Sequence, residues 1–122
     1  MSGNGPEILE RLSGAVLAGG RSSRFGRDKG LVLLGGEPLA AHVLRGFAAF
    51  GERFVVLKAE GSSAYAGLGA PLRLDLRPET AALCGLESAL RCARHDWVAL
   101  CACDLPFVGA AYWRALAAAR SN

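Results

Sequence analysis

The sequence is poor in the groups that most often carry catalysis. It holds two histidines, His42 and His95, in 122 residues. His42 falls in a helical pattern and His95 in a loop beside Arg94 and Asp96, so neither a histidine-based triad nor a two-histidine metal site is expected. The four cysteines, Cys84, Cys92, Cys101 and Cys103, include no second clustered pair, which argues against a thiolate zinc site. They lie in apolar segments and read as reduced, buried thiols. No apolar run approaches the ~18 residues that a membrane helix needs. The start, MSGNGPEILERLSG, has no apolar segment of the kind a signal peptide carries, so a soluble, cytoplasmic protein with no membrane partner is expected. The GxxxxGK[ST] spacing of a P-loop is missing, as is GxGxxG. No internal repeat and no linker divides the chain.

What is present is apolar and locally very basic. Hydrophobic residues make up 52% and charged residues 20%, a globular composition, and the length suits one domain burying roughly 65–70% of its unfolded surface. The formal charge is only +3, and Arg21, Arg24, Arg27 and Lys29 against Asp28 account for all of it. Charge gathered in one loop suits a small polyanion better than a nucleic acid, so no nucleic-acid partner is expected.

Residues 1–12 read as a flexible N-terminal arm and 13–122 as the folded part. GAVLAGG (14–20) has the pattern of a buried strand feeding a turn. LVLL (31–34) reads as a short strand, with a turn at Gly35-Gly36. EPLAAHVLRGFAAF (37–50) reads as a helix with Pro38 near its first turn. Further strands are expected at RFVVLKA (53–59), PLRLDL (71–76) and WVALCAC (97–103), and helices at LCGLESALRCAR (83–94) and GAAYWRALAAAR (109–120). The run WVALCAC is apolar on both faces, as in a central parallel strand. Strands alternating with helices predict an α/β three-layer sandwich with a mostly parallel sheet and right-handed crossovers.

Ligands of such sheets bind beyond the carboxyl ends of the strands. Three features fall there: the glycine-rich cationic loop after the first strand, Asp75 near the end of the third, and Asp104 directly after the fourth. Gly19 and Gly20 let successive backbone N–H groups face an anion. Lys29 and the loop arginines, Arg24 among them, add full positive charges, so the loop is expected to wrap phosphates. Asp104, ending an apolar strand beside that loop, suits Mg²⁺ shared with phosphate oxygens. The alternatives are a solvated surface loop and an Asp104 that caps a turn.

LAGGRSSRFGRDKG (17–30) followed by LVLLGGEPLAAHVL, with CDLPF (103–107), resembles the signature of the MobA-like nucleotidyltransferases, and within that family the molybdenum cofactor guanylyltransferases. The resemblance runs from residue 14 to about 113. It implies the Rossmann-like nucleotidyltransferase fold and transfer of GMP from GTP to molybdopterin, or molybdenum-bound molybdopterin, with release of pyrophosphate. It implies nucleotide contacts from the backbone of Leu17, Ala18, Gly19 and Gly20, phosphate contacts from Lys29, a nucleotide contact from Asp75, and a contact from Asp104 through Mg²⁺. Lys29, Asp104 and Arg24 become the candidate catalytic groups. Phe25 stands where the family has Met. AALCG (81–85) replaces its Gly-Pro-Leu-Ala-Gly, and LKAE (57–60) lacks its Asn, departures that bear on base recognition. The chain is shorter than a typical member, so a form truncated at its C-terminus is expected. A related transferase with another phosphorylated acceptor, or a nucleotide-binding module without turnover, are the other readings.

Overall fold

A computed structural model describes residues 9–18, 29–57, 65–74, 82–103, 105 and 108–119. In chain order these form β1 (Leu12–Leu17), a 3-10 turn (Lys29–Leu31), β2 (Leu33–Leu34), β3 (Glu37–Pro38), α1 (Leu39–Gly46) and β4 (Glu52–Leu57). Then follow β5 (Leu72–Leu74), α2 (Ala82–Cys92), β6 (Trp97–Ala102) and α3 (Ala110–Ala119). The main sheet has the order β5-β4-β1-β6 and is parallel throughout. β2 and β3 make a small antiparallel hairpin, closed by Gly35 and Gly36 at φ of 64° and 87°, a turn that side chains with a Cβ rarely adopt.

Alternation along the strands builds two cores. Leu12 and Val16 of β1, Val55 and Leu57 of β4, and Cys101 of β6 join Val43, Leu44, Phe47, Phe50 and Trp113 in the larger one. Ala15, Phe54 and Val56 point the other way and meet Ala89 of α2, with Val98 and Leu100 packed alongside. Helices α1 and α3 therefore cover one face and α2 the other, the three-layer α/β arrangement expected. Gly14, mid-β1, lies directly under the Phe47 ring; a Cβ there would stand 2.6 Å from Phe47 Cδ2. Phe47, Phe50 and Trp113 stack with centroids 4.9 to 6.3 Å apart.

The sheet reverses direction at β1. The path β1 to β4 to β5 runs one way, over the α1 face; the path from β5 through α2 crosses back to β6 on the far side of β1. Crossovers keep one hand only if they change face when they change direction. The reversal makes the carboxyl ends of β1 and β6 a topological switch point, the place where open parallel sheets bind ligands.

The described elements differ from the expected ones in detail. The helix expected over 37–50 begins at Leu39 and ends at Gly46. Glu37 and Pro38 belong to the hairpin instead, and Gly46 costs the helix about 1 kcal/mol relative to Ala. Beyond it, Phe47 and Phe50 turn into the core. Among the described residues, the run WVALCAC has one strand neighbour, β1, while β1 and β4 each have two. Apolar composition reports burial on two faces but says nothing about strand order. Trp97, at the start of β6, is 52% exposed. Of the arm expected over 1–12, residues 1–8 lie outside the described residues; Leu9 is fully buried and Leu12 opens β1.

Candidate functional site

The carboxyl edge of β1 and β6 is assembled by backbone contacts. Leu17 pairs with Val56 on one side and Ala102 on the other. Past the ladder, the Cys103 amide donates to the Leu17 carbonyl at 3.0 Å and the Ala18 amide to the Val56 carbonyl at 2.9 Å. Those two groups of Leu17 and Ala18 are thus already bonded within the sheet, and the chain leaves the strand at Ala18 in a fixed direction. It returns as the turn Lys29–Leu31, whose Gly30 is buried. Gly30 lies against the end of β6: a Cβ there would stand 3.0 Å from Cβ and Sγ of Cys103 and would collide with Tyr65 Oη. Both ends of the segment 19–28 therefore meet at the residue that precedes Asp104. Loops following three strands, at Lys29–Leu31, at Tyr65 and at Cys103, touch one another here.

Leu17, Ala18 and the backbone of Lys29 are the predicted site residues that the structure describes, and it brings them to this one edge. Gly19, Gly20, Arg24, Asp75 and Asp104 lie outside the described residues. The strands that lead to two of them are described. β5 ends at Leu74, paired with Leu57, two strands from β1, about 10 Å at the usual strand spacing. β6 ends at Ala102, paired with Leu17. Among the described residues, no group of three or more His, Cys, Asp and Glu could hold a metal. Cys92, Cys101 and Cys103 carry thiols rather than disulfides, and the last two are buried.

Sequence reasoning missed Tyr65. It is fully buried, yet sits in SSAYAGLG (62–69), a stretch with no periodicity to single it out. It also missed a polar cluster at the opposite, amino edge of the sheet. Ser13, fully buried in β1, donates to Glu52 Oε2 at 2.6 Å. Its oxygen lies 3.0 Å from His95 Nδ1; with the hydroxyl proton given to Glu52, that nitrogen is the donor. The Arg94 amide also donates to Glu52 Oε2, and Arg94 Nε lies 3.3 Å from Oε1. Burial pushes the Glu52 carboxyl up, but the Arg94 amide, the Ser13 hydroxyl and the Arg94 guanidinium outweigh it and hold the pKa below the ordinary value. The hydroxyl of Ser13 has no access to solvent, so this Ser-His-Glu grouping is a structural bolt and not a nucleophile. Next to it a cleft of about 460 Å³ opens between Gly51, Arg53, Arg73 and Arg94. It lies at the amino ends of β4 and β5, roughly 13 Å along the strands from the Leu17 edge.

The parallel order, the reversal at β1 and the loop cluster at its carboxyl end define an open, doubly wound α/β fold. Comparison with known proteins supports and sharpens this. Residues 14–122 match the MobA-like NTP transferase domain. The chain is 41% identical over 105 residues to a molybdenum cofactor guanylyltransferase of Pseudomonas putida, covering 84% of this chain and 55% of that protein. It is also 41% identical over 105 residues to one of Burkholderia vietnamiensis, covering 81% and 51%. A nucleotidyl transferase from Methanothermobacter superposes with a TM-score of 0.74 at 25% identity, over 88% of this chain and 57% of that one. Molybdopterin-guanine dinucleotide biosynthesis protein A from Archaeoglobus fulgidus superposes with a TM-score of 0.59 at 29% identity, over 78% and 48%. The chain belongs to the MobA-like NTP transferase family. It spans about half the length of the curated relatives it matches.

Proposed function

We propose that the chain is the nucleotide-binding part of a molybdenum cofactor guanylyltransferase, which transfers GMP from GTP to molybdopterin or molybdenum-bound molybdopterin and releases pyrophosphate. The observation that carries the reading is the meeting of Leu17, Gly30 and Cys103 at the reversal of the sheet. It brings together the residues that flank the cationic segment 19–28 in the sequence, Ala18 and Gly30 among them, and the residue that precedes Asp104. The family match, over residues 14–122, includes Leu17, Gly30 and Cys103.

In this reading the amides from Gly19 and Gly20 onward form an anion nest for the triphosphate. Lys29 and Arg24 neutralise charge at the α- and β-phosphates, and Asp75 meets the nucleoside two strands away. An oxygen of the molybdopterin phosphate attacks the α-phosphorus. The bond from that phosphorus to the bridging α,β oxygen breaks, and the electron pair leaves with pyrophosphate. The attacking oxygen is already anionic, so the reaction needs no general base, in keeping with two histidines that take no part. Catalysis is then positioning and charge neutralisation. Asp104 would hold Mg²⁺; a lone hard carboxylate with phosphate oxygens suits that ion better than a thiol-preferring metal. When bound, Mg²⁺ supplies further neutralisation of the triphosphate charge.

Titration with GTP, CTP and ATP, each with and without Mg²⁺, tests the reading. GTP is expected to bind tightest and to need Mg²⁺, and Asp104→Asn to remove that dependence. Equal Mg²⁺ dependence in parent and variant would overturn the role of Asp104. Preference for CTP would move the reading to a related transferase; AALCG, standing where the family has Gly-Pro-Leu-Ala-Gly, is the departure that bears on the base.

A further inference from the structure

We propose that Tyr65, Gly30 and Cys103 form a clamp that positions Lys29 for the triphosphate, with Tyr65 as a positioning residue contributed by the loop between β4 and β5. The inference rests on the phosphate-binding role proposed for Lys29 and adds the residues that fix where Lys29 stands. Gly30 is the next residue along the backbone, so its Cα lies 3.8 Å from that of Lys29. Wherever Gly30 is held, the backbone that launches the Lys29 side chain is held too.

Three facts make the hold specific. Gly30 is buried with two walls around the place where a Cβ would stand: Tyr65 Oη, with which it would collide, and the Cβ and Sγ of Cys103, each 3.0 Å from it. Tyr65 is fully buried, and Cys103 is 9% exposed, so both walls are packed into the main core and cannot swing aside. The Cys103 wall is itself tied to β1 by its amide bond to the Leu17 carbonyl. Tyr65 belongs to none of the motifs that mark the family in this sequence, and it reaches the loop from a different connection. Its phenol ring therefore couples the β4–β5 connection to the turn that follows the cationic segment. A turn so held has its conformational freedom removed before the ligand arrives, and that ordering would otherwise be a cost of binding.

The test uses the 122-residue chain, with Mg·GTP and guanosine as probes in calorimetric titrations and a thermal melt as the control for folding. Gly30→Ala pushes the turn off both walls. It is expected to weaken GTP binding about tenfold, or ~1.4 kcal/mol, while guanosine binding stays within about twofold. Adding Tyr65→Phe to Gly30→Ala removes the colliding oxygen and is expected to restore most of the loss. In a Lys29→Ala background, Gly30→Ala is expected to change GTP affinity less than about twofold, because the group it displaces is gone. Tyr65→Leu removes a wall instead of crowding it and should give the same selective loss of GTP over guanosine, which keeps the test decisive should Gly30→Ala fail to fold. If the parent binds no GTP, or Lys29→Ala binds it as well as the parent, the phosphate reading and the clamp fall together. If the parent binds GTP through Lys29 but Tyr65→Leu and any folded Gly30→Ala leave GTP affinity unchanged, or the Lys29 and Gly30 losses multiply, the clamp alone is refuted.

Discussion

Replacing Glu52 by Gln should destabilise the protein at neutral pH and cease to matter in acid. Glu52 opens β4 with a side chain only 11% exposed. Its Oε2 accepts from the buried Ser13 hydroxyl and from the Arg94 amide, and its Oε1 faces the Arg94 guanidinium. Gln can present one oxygen to the first two donors, but its amide then faces the guanidinium, and both remaining bonds become neutral. Charge-assisted bonds contribute about 1.5–3 kcal/mol and neutral ones about 0.5–1.5, so two such changes cost roughly 2 kcal/mol. Relief of the burial penalty on the carboxylate returns part of this, leaving about 1–2 kcal/mol. The exposed Arg94 ion pair adds little. For a chain of this size that is a fall in Tm of roughly 4–8 °C. The folded pKa of Glu52 is lowered, so its contribution is complete above the ordinary carboxylate pKa and is lost as pH falls through the folded value. Melting curves from pH 7 down to pH 3 should show parent and Glu52→Gln converging at the acid end. Curves that stay parallel over that range would refute the assignment of Glu52 as an ionised bolt in the folded state.

Lys29→Ala should weaken Mg·GTP binding by about 10- to 150-fold, the loss of a charge-assisted bond, while Arg11→Ala, an exposed residue just before β1, leaves it unchanged; calorimetry on the two variants checks this. Gly14→Val should lower stability by roughly 1–3 kcal/mol, because its side chain enters the space of the Phe47 ring, and Phe47→Leu in the same chain should recover part of the loss in a denaturant melt.

Much of the edge was legible in the sequence because its signals are local. GAVL followed by glycines, and WVALCA followed by CDLP, each mark a buried strand and its end. Glycine at 35 and 36 announces a turn, which their positive φ confirms. What could not be read was non-local. The place of β6 at one side of β1 depends on which strands pair, and apolar composition is nearly the same for a central and a flanking parallel strand. The early end of α1 depends on Phe47 and Phe50 finding Trp113, more than sixty residues away. Ser13 and Glu52 look like an ordinary strand serine and a surface acid until β1 and β4 pair and set them opposite each other. Tyr65 lies in a stretch without periodicity, so only the tertiary contact reveals it.

The two edges of the sheet divide the labour. At the amino edge, buried polar groups satisfy one another: Ser13, Glu52, Arg94 and His95 close a network across β1, β4 and the start of β6. Such a network fixes register, since a one-residue slip of β4 would bury Glu52 without its donors. At the carboxyl edge the described contacts are backbone bonds and close packing around Gly30. The register set by Ser13 and Glu52 carries through the shared ladder to Leu17, Val56 and Ala102. It therefore determines where Ala18 releases the cationic segment and where Cys103 receives Gly30. If the cationic segment binds phosphates as proposed, fixing its two ends limits the ordering that binding must supply. The polar bolt at one end of β1 and the Tyr65–Gly30–Cys103 packing at the other fix both.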